Sequence, residues 1–339
     1  MLKPVFLALL SLIASTAQSE SLQDGRGVGI YIDQDMFVPL SNEDRDYTMG
    51  FAAEFFWTKE KGLYPLDTLV KKASKWVGIQ EDQNNIIYSF MLGALTFTPD
   101  DLADPSPIYN DRPYSSLIYL SNKRVYTDNK KALAAEVLIG VIGSSIARDV
   151  QTQFHEWYRH LSNDSEPVEP KGWSHQISDG GELTMRLRLT KSRLYEQFSI
   201  PGKFDIASTV GVSLGFQSNV TASFAMRAGR VKSPFWTLPF DPVNRGNFIP
   251  SNAKNEFYLW TAIRAHLVLY DALLQGQFRE SDVEFSSNEI ESLVYDGAFG
   301  LTWGFKKSQL VLSVNAKSAD LKLSSRPQIW GGINYMFNF

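Results

Sequence analysis

Hydrophobic and polar residues alternate with a period of two along much of this chain. In one run, four aliphatic side chains alternate with arginines and threonines, the aliphatic ones being Leu183, Met185, Leu187 and Leu189. Successive side chains of a β-strand point to opposite faces, so this pattern predicts a strand with one aliphatic and one polar face. Runs near 219–230 and 256–270 repeat it. They are about ten residues or longer, against roughly five or six for an average soluble strand.

Strands of this kind are predicted at 28–33, 47–57, 87–98, 115–126, 132–142, 182–190, 203–215, 219–230, 256–270, 290–304, 309–317 and 329–339. Periodicity alone fits both a soluble sandwich and a membrane barrel whose apolar face meets lipid. The strand length, the aromatic content of 13% and an alternating segment that ends at Phe339 favour the barrel. The sequence predicts an all-β fold, a transmembrane antiparallel β-barrel of about twelve strands with a short helix in an extracellular loop.

The first residues have the features of a signal peptide, predicted at 1–19. Lys3 precedes an apolar run from Val5 to Ala14, and the small residues Ser15 and Ala17 follow. The apolar run is about ten residues long, too short to span a bilayer as a helix. Residues 20–339 are predicted to form one exported barrel domain in the bacterial outer membrane.

The amino-acid composition excludes several kinds of chemistry. The chain has no cysteine and a formal net charge of -4. Disulfides, thiolate metal sites and cysteine nucleophiles are therefore excluded, and no nucleic-acid partner is expected. We expect the barrel to act as a monomer among outer-membrane lipids.

If both termini lie in the periplasm, strand parity places the turn 38–46, the loop 99–112 and the segment 143–181 together on the extracellular rim. Short turns at 127–130 and 306–308 then lie on the periplasmic side. Parity also puts residues 58–86, which have an amphipathic helical pattern, on the periplasmic side, where we interpret them as a capping or surface helix.

Two acidic clusters lie on the predicted extracellular rim. The first comprises Asp33, Gln34 and Asp35 together with residues 42–48. Dense carboxylates suit a hard cation such as calcium, although composition alone favours a solvated acidic loop. The second comprises Asp100, Asp101, Asp104 and residues 110–114, again a solvated loop or a site where Arg112 binds a phosphate or carboxylate.

A helical pattern over 144–161 is the third feature of this rim. Its apolar stripe consists of Ile146, Val150, Phe154, Trp157 and Leu161. Gln151, His155 and Tyr158 share another side of the helix. We expect the helix to pack against the barrel wall and to hold His155 there.

Histidine is the usual general base near neutral pH, so His155 is a candidate. The three other histidines have simpler explanations: His266 lies on a lumenal strand face, His160 near a helix end and His175 in a loop. The chain has no Gly-x-Ser-x-Gly, His-Glu-x-x-His or phosphate-loop motif. An enzyme built from these residues would use activated water rather than a serine nucleophile.

Four motifs in order resemble the outer-membrane lipid A 3'-O-deacylase family. They begin at Asp33 (Asp-Gln-Asp-Met-Phe), Asp44 (Asp-Arg-Asp-Tyr-Thr-Met-Gly), Asn110 (Asn-Asp-Arg-Pro-Tyr) and Gln151 (Gln-Thr-Gln-Phe-His). The resemblance implies a twelve-stranded barrel that removes the 3'-linked acyloxyacyl group from lipid A in lipopolysaccharide and that depends on Ca²⁺.

Carried over by position, the resemblance makes His155 the general base with Gln151 beside it. It makes Asp35 a metal-site carboxylate, Gln34 and Thr48 polar residues of the catalytic site, and Arg112 a substrate contact. The acidic residue downstream of the histidine is not assigned; the candidates are Glu156, Asp164 and Glu166.

The chain departs from the family pattern at two places. Gln34 replaces an asparagine, and residues 115–117 are Ser-Ser-Leu in place of Ala-Gly-Trp. The leading prediction is a lipid A deacylase, a carboxylic ester hydrolase. The alternatives are an outer-membrane phospholipase and a non-enzymatic pore or structural barrel.

Overall fold

A computed structural model describes residues 25–38, 46–58, 68, 72, 86–127, 130–159, 170–237, 255–324 and 326–339. The predicted signal peptide, the predicted 58–86 helix except for its strand ends and two isolated positions, and His160, Asp164 and Glu166 lie outside these residues.

Within this described part, twelve strands account for most of the structure. They are β1 (Arg26–Gln34), β2 (Asp46–Thr58), β3 (Ile86–Thr98), β4 (Ser115–Thr127), β5 (Lys131–Ile142), β6 (Glu182–Leu194), β7 (Phe204–Gly215), β8 (Gln217–Arg230), β9 (Glu256–Asp271), β10 (Leu293–Phe305), β11 (Ser308–Lys317) and β12 (Gln328–Asn338). Each agrees with a predicted strand to within a few residues, because alternation persists along its whole length.

The strands form a closed antiparallel barrel in which each strand pairs with its sequence neighbours and β1 closes against β12. Polar residues of the strands point inward and apolar residues outward. In β6, Leu183 and Met185 are 75% and 57% exposed, while Arg186 is fully buried. This inversion of the soluble pattern is the arrangement of a barrel whose outer face meets lipid.

We call the end with Gly25 and Phe339 the terminal rim and the opposite end the loop rim. The connections after β1, β3 and β5 meet at the loop rim, as strand parity predicts. The last of these connections contains helix α1 (Ser145–Arg159), and the connection after β9 begins with the short helix α2 (Ala272–Gln275). No helix in the part of the chain that the structure describes is long and apolar enough to cross a membrane.

The lumen is packed rather than open. Large aromatic side chains fill its interior, including Tyr31, Phe56, Tyr258, Trp260 and Trp330. Charged lumenal residues form ion pairs with one another, among them Arg186 with Glu136, Arg227 with Asp205 and Arg264 with Asp296. Arg186, Arg227 and Arg264 thus lie inside the barrel with their carboxylate partners.

Candidate active site

A row of polar side chains crosses the outer face of the barrel at the loop rim. Gln34 of β1, Thr96 of β3 and Ser116 of β4 lie on the same face as the exposed Leu92 and Leu120 further along the wall. The leucines are 49% and 42% exposed, whereas Gln34, Thr96 and Ser116 are 7%, 3% and 0% exposed. Polar groups on an outer barrel face are tolerated where protein covers them. These three residues, here called the outer polar row, therefore line a covered site on the outer side of the wall.

A β-bulge adds Thr48 to this site. The register between β2 and β3 shifts between Tyr47 and Met49, so that Thr48 is the extra residue. Its Oγ1 lies 2.7 Å from Oγ1 of Thr98, and both side chains are buried. Bulges commonly re-aim a side chain in this way. Thr48 therefore faces the outer polar row and not the lumen.

Asp35 lies just beyond β1, next to the outer polar row. It begins a single-turn 3-10 helix, Asp35–Phe37, that contacts both β2 and β12. The Nε2 of Gln34 donates to Oδ1 of Asp35 at 3.3 Å, and the carboxyl group is buried. Because its nitrogen is turned to the carboxylate, Gln34 keeps its amide oxygen as an acceptor.

Asp33 has a different environment from Asp35. It faces the lumen, where its Oδ2 accepts from the hydroxyl of Tyr47 at 3.0 Å. The ring of Tyr47 is held between Phe97 and Trp330, at centroid distances of 5.4 and 5.1 Å. Of the two aspartates in the first acidic motif, Asp35 is the one that contacts Gln34 of the outer polar row.

Helix α1 contacts β3, and its Gln151 is buried. The Nε1 of Trp173 donates to Oε1 of Gln151 at 2.7 Å. The exposed apolar residues of this helix are Ile146 (56%) and Val150 (45%), so the described part of the apolar stripe does not form the contact with the wall. The prediction that α1 packs on the barrel is confirmed, and Gln151 is the buried one among its described side chains.

His155 lies one helical turn after Gln151 in α1. Its side chain lies outside the described residues, so its place beside Gln151 remains a prediction. Helix α1 brings the buried Gln151 to the outer side of the wall, the side on which Gln34 and Thr48 lie.

Arg112 is not brought together with these residues. Its guanidinium stacks on the lumenal ring of Phe97 at 3.9 Å and pairs with Asp320. The side chain is 2% exposed and lines a polar cavity of about 70 Å³ in the lumen. Its role as a substrate contact remains a prediction, since it lies on the other side of the wall from the outer polar row.

The carboxylates of the second acidic cluster accept hydrogen bonds from the backbone of their own loop. Asp101 and Asp104 accept from the backbone of Ala103 and Ser106, at 3.0 and 2.8 Å. Asp111 accepts from the backbone of Asp100 and Arg112, each at 2.8 Å. These are the turn contacts of a solvated loop.

Two other histidines have structural partners, as their sequence context predicted. The Nε2 of His266 lies 2.5 Å from Oδ2 of Asp296 in the lumen. His175 contacts Asp282 and, at 3.0 Å, the carbonyl oxygen of Pro105, so it joins three loop-rim segments. These contacts explain the positions of both histidines without a role as a catalytic base.

Gln34, Asp35 and Thr48 offer oxygen donors of the types that Ca²⁺ accepts. The described residues include no group of three or more histidine, aspartate and glutamate side chains arranged to hold a metal ion. A Ca²⁺ site with one carboxylate does not need three such side chains, because Ca²⁺ also accepts amide oxygens, hydroxyl oxygens and water as ligands. The carboxylate of Asp35, the amide oxygen of Gln34 and the hydroxyl of Thr48 are donors of that kind.

Comparison with known proteins identifies the family. The model of the family described as outer membrane protein LpxR matches residues 5–339. The chain belongs to this family. It is the lipid A 3'-O-deacylase family that the four motifs resemble, so the chain is placed among the lipid A deacylases of the bacterial outer membrane.

The first of the following solved structures supports the fold. LpxR from Salmonella typhimurium is 15% identical with a TM-score of 0.71, covering 92% of this chain and 100% of that chain. The KdgM porin is 7% identical with a TM-score of 0.38, covering 92% and 99%. The translocator domain of the autotransporter NalP from Neisseria meningitidis is 7% identical with a TM-score of 0.42, covering 99% and 95%. A search of curated protein sequences gives no match.

Sequence reasoning missed three residues at this candidate site. Trp173 lies in a segment without periodicity, so no pattern predicted its role. Thr98 was an ordinary strand position and Ser116 was noted only as part of the departure from the family pattern at 115–117, because the role of both depends on what covers them. A polar residue on the apolar face of a predicted strand end is the signal that would have found them.

Proposed function

We propose that this protein hydrolyses the 3'-linked acyloxyacyl ester of lipid A, with His155 as the general base and Ca²⁺ as the cofactor. The observation that carries the proposal is the outer polar row, a set of buried polar side chains at the loop rim on the same outer face as the exposed Leu92 and Leu120. A membrane lipid can approach such a site sideways, with its acyl chains remaining in the bilayer. The ester linkages of a lipid lie near the polar boundary, which is the level of the loop rim.

The residues support a hydrolysis with water as the nucleophile. His155 removes a proton from water, the water oxygen attacks the acyl carbon, and the ester C–O bond breaks. The proton passes to the departing sugar oxygen, which leaves the 3'-hydroxyl and a free fatty acid. Gln151 donates an N–H toward the negative charge that develops on the carbonyl oxygen.

Asp35, Gln34 and Thr48 would hold the calcium ion. When bound, Ca²⁺ supplies positive charge that polarises the ester carbonyl. Gln34 is one methylene longer than the family's asparagine, and its contact with Asp35 keeps its oxygen available despite that length.

The test is acyl release from lipid A in detergent, followed by mass spectrometry. His155→Ala should lower the rate about 10²- to 10⁴-fold, the usual contribution of a general base. EDTA should abolish release, and added Ca²⁺ should restore it. Unchanged activity in His155→Ala, or indifference to the chelator, contradicts the proposal.

Two glutamines of α1 offer a matched pair of variants. Gln151→Ala should lower the rate by about 10²-fold, in the range for loss of one donor to an oxyanion. Gln153→Ala, an exposed residue on the same helix, should leave the rate unchanged. Glycerophospholipid in place of lipid A tests the phospholipase alternative, which faster release from that substrate would support.

A further inference from the structure

The contact between Trp173 and Gln151 determines which way the Gln151 amide faces. An indole N–H only donates, so the atom of the amide that meets it must be the oxygen. The contact is short, at 2.7 Å, and both side chains are 2% exposed. Rotation of the amide by half a turn would set two donors against each other. Trp173 therefore holds the amide in one orientation.

In that orientation the Gln151 nitrogen is left for another partner. Its Nε2 is buried and has no hydrogen-bond partner among the residues that the structure describes. A buried donor without an acceptor is rare in folded proteins and calls for a functional explanation. The nitrogen belongs to a helix that packs on β3, beside the outer polar row.

Trp173 is itself rigidly supported. Its ring packs on Tyr114 with a centroid distance of 4.8 Å, and Tyr114 donates its hydroxyl proton to the carbonyl of Leu102 at 3.3 Å. The three side chains form a buried cluster. A Cβ on Gly172 would lie 2.5 Å from Cε2 of Tyr114, so the approach of the two segments needs a glycine there.

This cluster links the third motif to the fourth. Tyr114 ends the Asn-Asp-Arg-Pro-Tyr motif, and Gln151 begins the motif that contains His155. Backbone bonds from Lys171 to Leu102 at 2.9 Å and from Ile177 to Tyr114 at 2.9 Å fix the two loops on either side of the indole. The position of the indole N–H is thus set by the loops and not by α1.

We propose that Trp173 is a positioning residue that fixes the Gln151 amide with its N–H groups turned to the substrate ester. The proposal rests on the proposed function and extends it to a residue outside the four motifs. Trp173 acts through Gln151 and does not itself contact the reacting atoms.

The first test is a double-mutant cycle on acyl release. Trp173→Phe keeps an aromatic ring against Tyr114 and removes the N–H. It should lower kcat about tenfold or more while KM changes less than about twofold, because ground-state packing is kept and a transition-state donor is misplaced. In a Gln151→Ala background the same change should have no further effect on kcat. Trp303→Phe, a half-exposed tryptophan of β10, is the control and should match wild type.

The second test needs no substrate. The chain has eight tryptophans, and the indole ¹⁵N–¹H resonance lost in Trp173→Phe identifies Trp173. That resonance should move in Gln151→Ala and stay in place in Gln153→Ala. A resonance indifferent to Gln151, a kcat within twofold of wild type, or an equal loss of kcat in the Gln151→Ala background would overturn the proposal.

Failure of the proposed function gives a different result. A wild-type protein that hydrolyses glycerophospholipid and not lipid A contradicts the lipid A assignment, and the cycle is then run on that ester. A protein that hydrolyses neither overturns both the proposed function and a catalytic role for Trp173. The indole resonance then reports whether the Trp173–Gln151 contact itself exists.

Discussion

Asp320, between β11 and β12, connects separate parts of the loop rim through one carboxylate. It pairs with Arg112 and with Lys317 at 2.7 Å, and it accepts from Nε2 of Gln328 at 2.8 Å. Burial alone would raise the pKa of Asp320, but the charges of Lys317 and Arg112 and the hydrogen bonds from Lys317 and Gln328 outweigh it and hold the pKa well below its usual range. The ionised carboxylate is therefore part of the folded rim.

This depressed pKa gives a stability prediction with a definite sign. The stabilisation is complete above the unfolded pKa, about 4, and is lost as the pH falls below that value toward the folded pKa. Asp320→Asn should therefore lower the urea midpoint of unfolding at pH 7, and its difference from wild type should shrink below about pH 4. Midpoints measured in detergent between pH 3 and 7 check this. A difference that is constant over that range would show that Asp320 is not the group responsible.

At the residue scale, strand parity predicted the rim of the candidate residues but not their side of the wall. Asp35, Thr48 and Gln151 lie at the loop rim, as parity predicted. Arg112 lies on the lumenal side, because the direction of a loop residue follows from its partner Asp320, more than 200 positions away. Trp173 could not be assigned, since its effect depends on a contact with Gln151 that no periodic pattern records.

At the scale of elements, the close approach of Tyr47 to Gly50 shows how β2 is adapted to the site. A Cβ on Gly50 would overlap the hydroxyl oxygen of Tyr47. The ring of Tyr47 is wedged between Phe97 and Trp330 and cannot move away freely. Gly50 therefore permits the bond from Tyr47 to Asp33 at the end of β1.

Gly50→Ala should lower the free energy of unfolding by about 1–3 kcal/mol, the usual cost of overpacking a dense interior. Gly297→Ala is the matched control in β10, where a Cβ would meet its nearest neighbours at 3.5 and 3.9 Å, ordinary contact distances. Urea unfolding of both variants measures the difference. Equal stability of the two would mean that Tyr47 can shift without cost.

The positions of the strands could be predicted from the alternation of polar and apolar residues. The bulge at Thr48 and the packing of α1 could not. The strands were predicted nearly to the residue because every second side chain faces a uniform environment. The bulge at Thr48 breaks that period by one residue, and one irregular residue has no signature in a short sequence window. On α1, Ile146 and Val150 of the predicted apolar stripe are exposed while Gln151 is buried, which the helical pattern alone did not predict.

At the scale of the whole molecule, the packed lumen argues against the pore alternative. The bore is filled by aromatic rings such as Tyr258 and Trp260, and polar lumenal groups are tied together by hydrogen bonds and ion pairs. Near the terminal rim, Glu256 is fully buried and accepts from the backbone of Lys232 and Ser233 and from Gln309 at 2.7 Å. The segment after β8 is thereby held across the end of the lumen. The mean hydropathy of -0.18 is compatible with a membrane protein because many polar residues lie inside the barrel.

A barrel packed in this way should not conduct ions. Purified protein inserted into a planar lipid bilayer should give no stable open-channel current, because a permeating ion would have to displace buried aromatic side chains and break the pair between Arg186 and Glu136. An open porin inserted under the same conditions shows that insertion and detection work, and acyl release from lipid A in the same vesicle preparation shows that the inserted protein is folded. Steady conductance without acyl release would support the pore alternative. Conductance that appears only in Trp260→Gly, which removes a fully packed indole from the lumen, would show that side-chain packing closes the barrel.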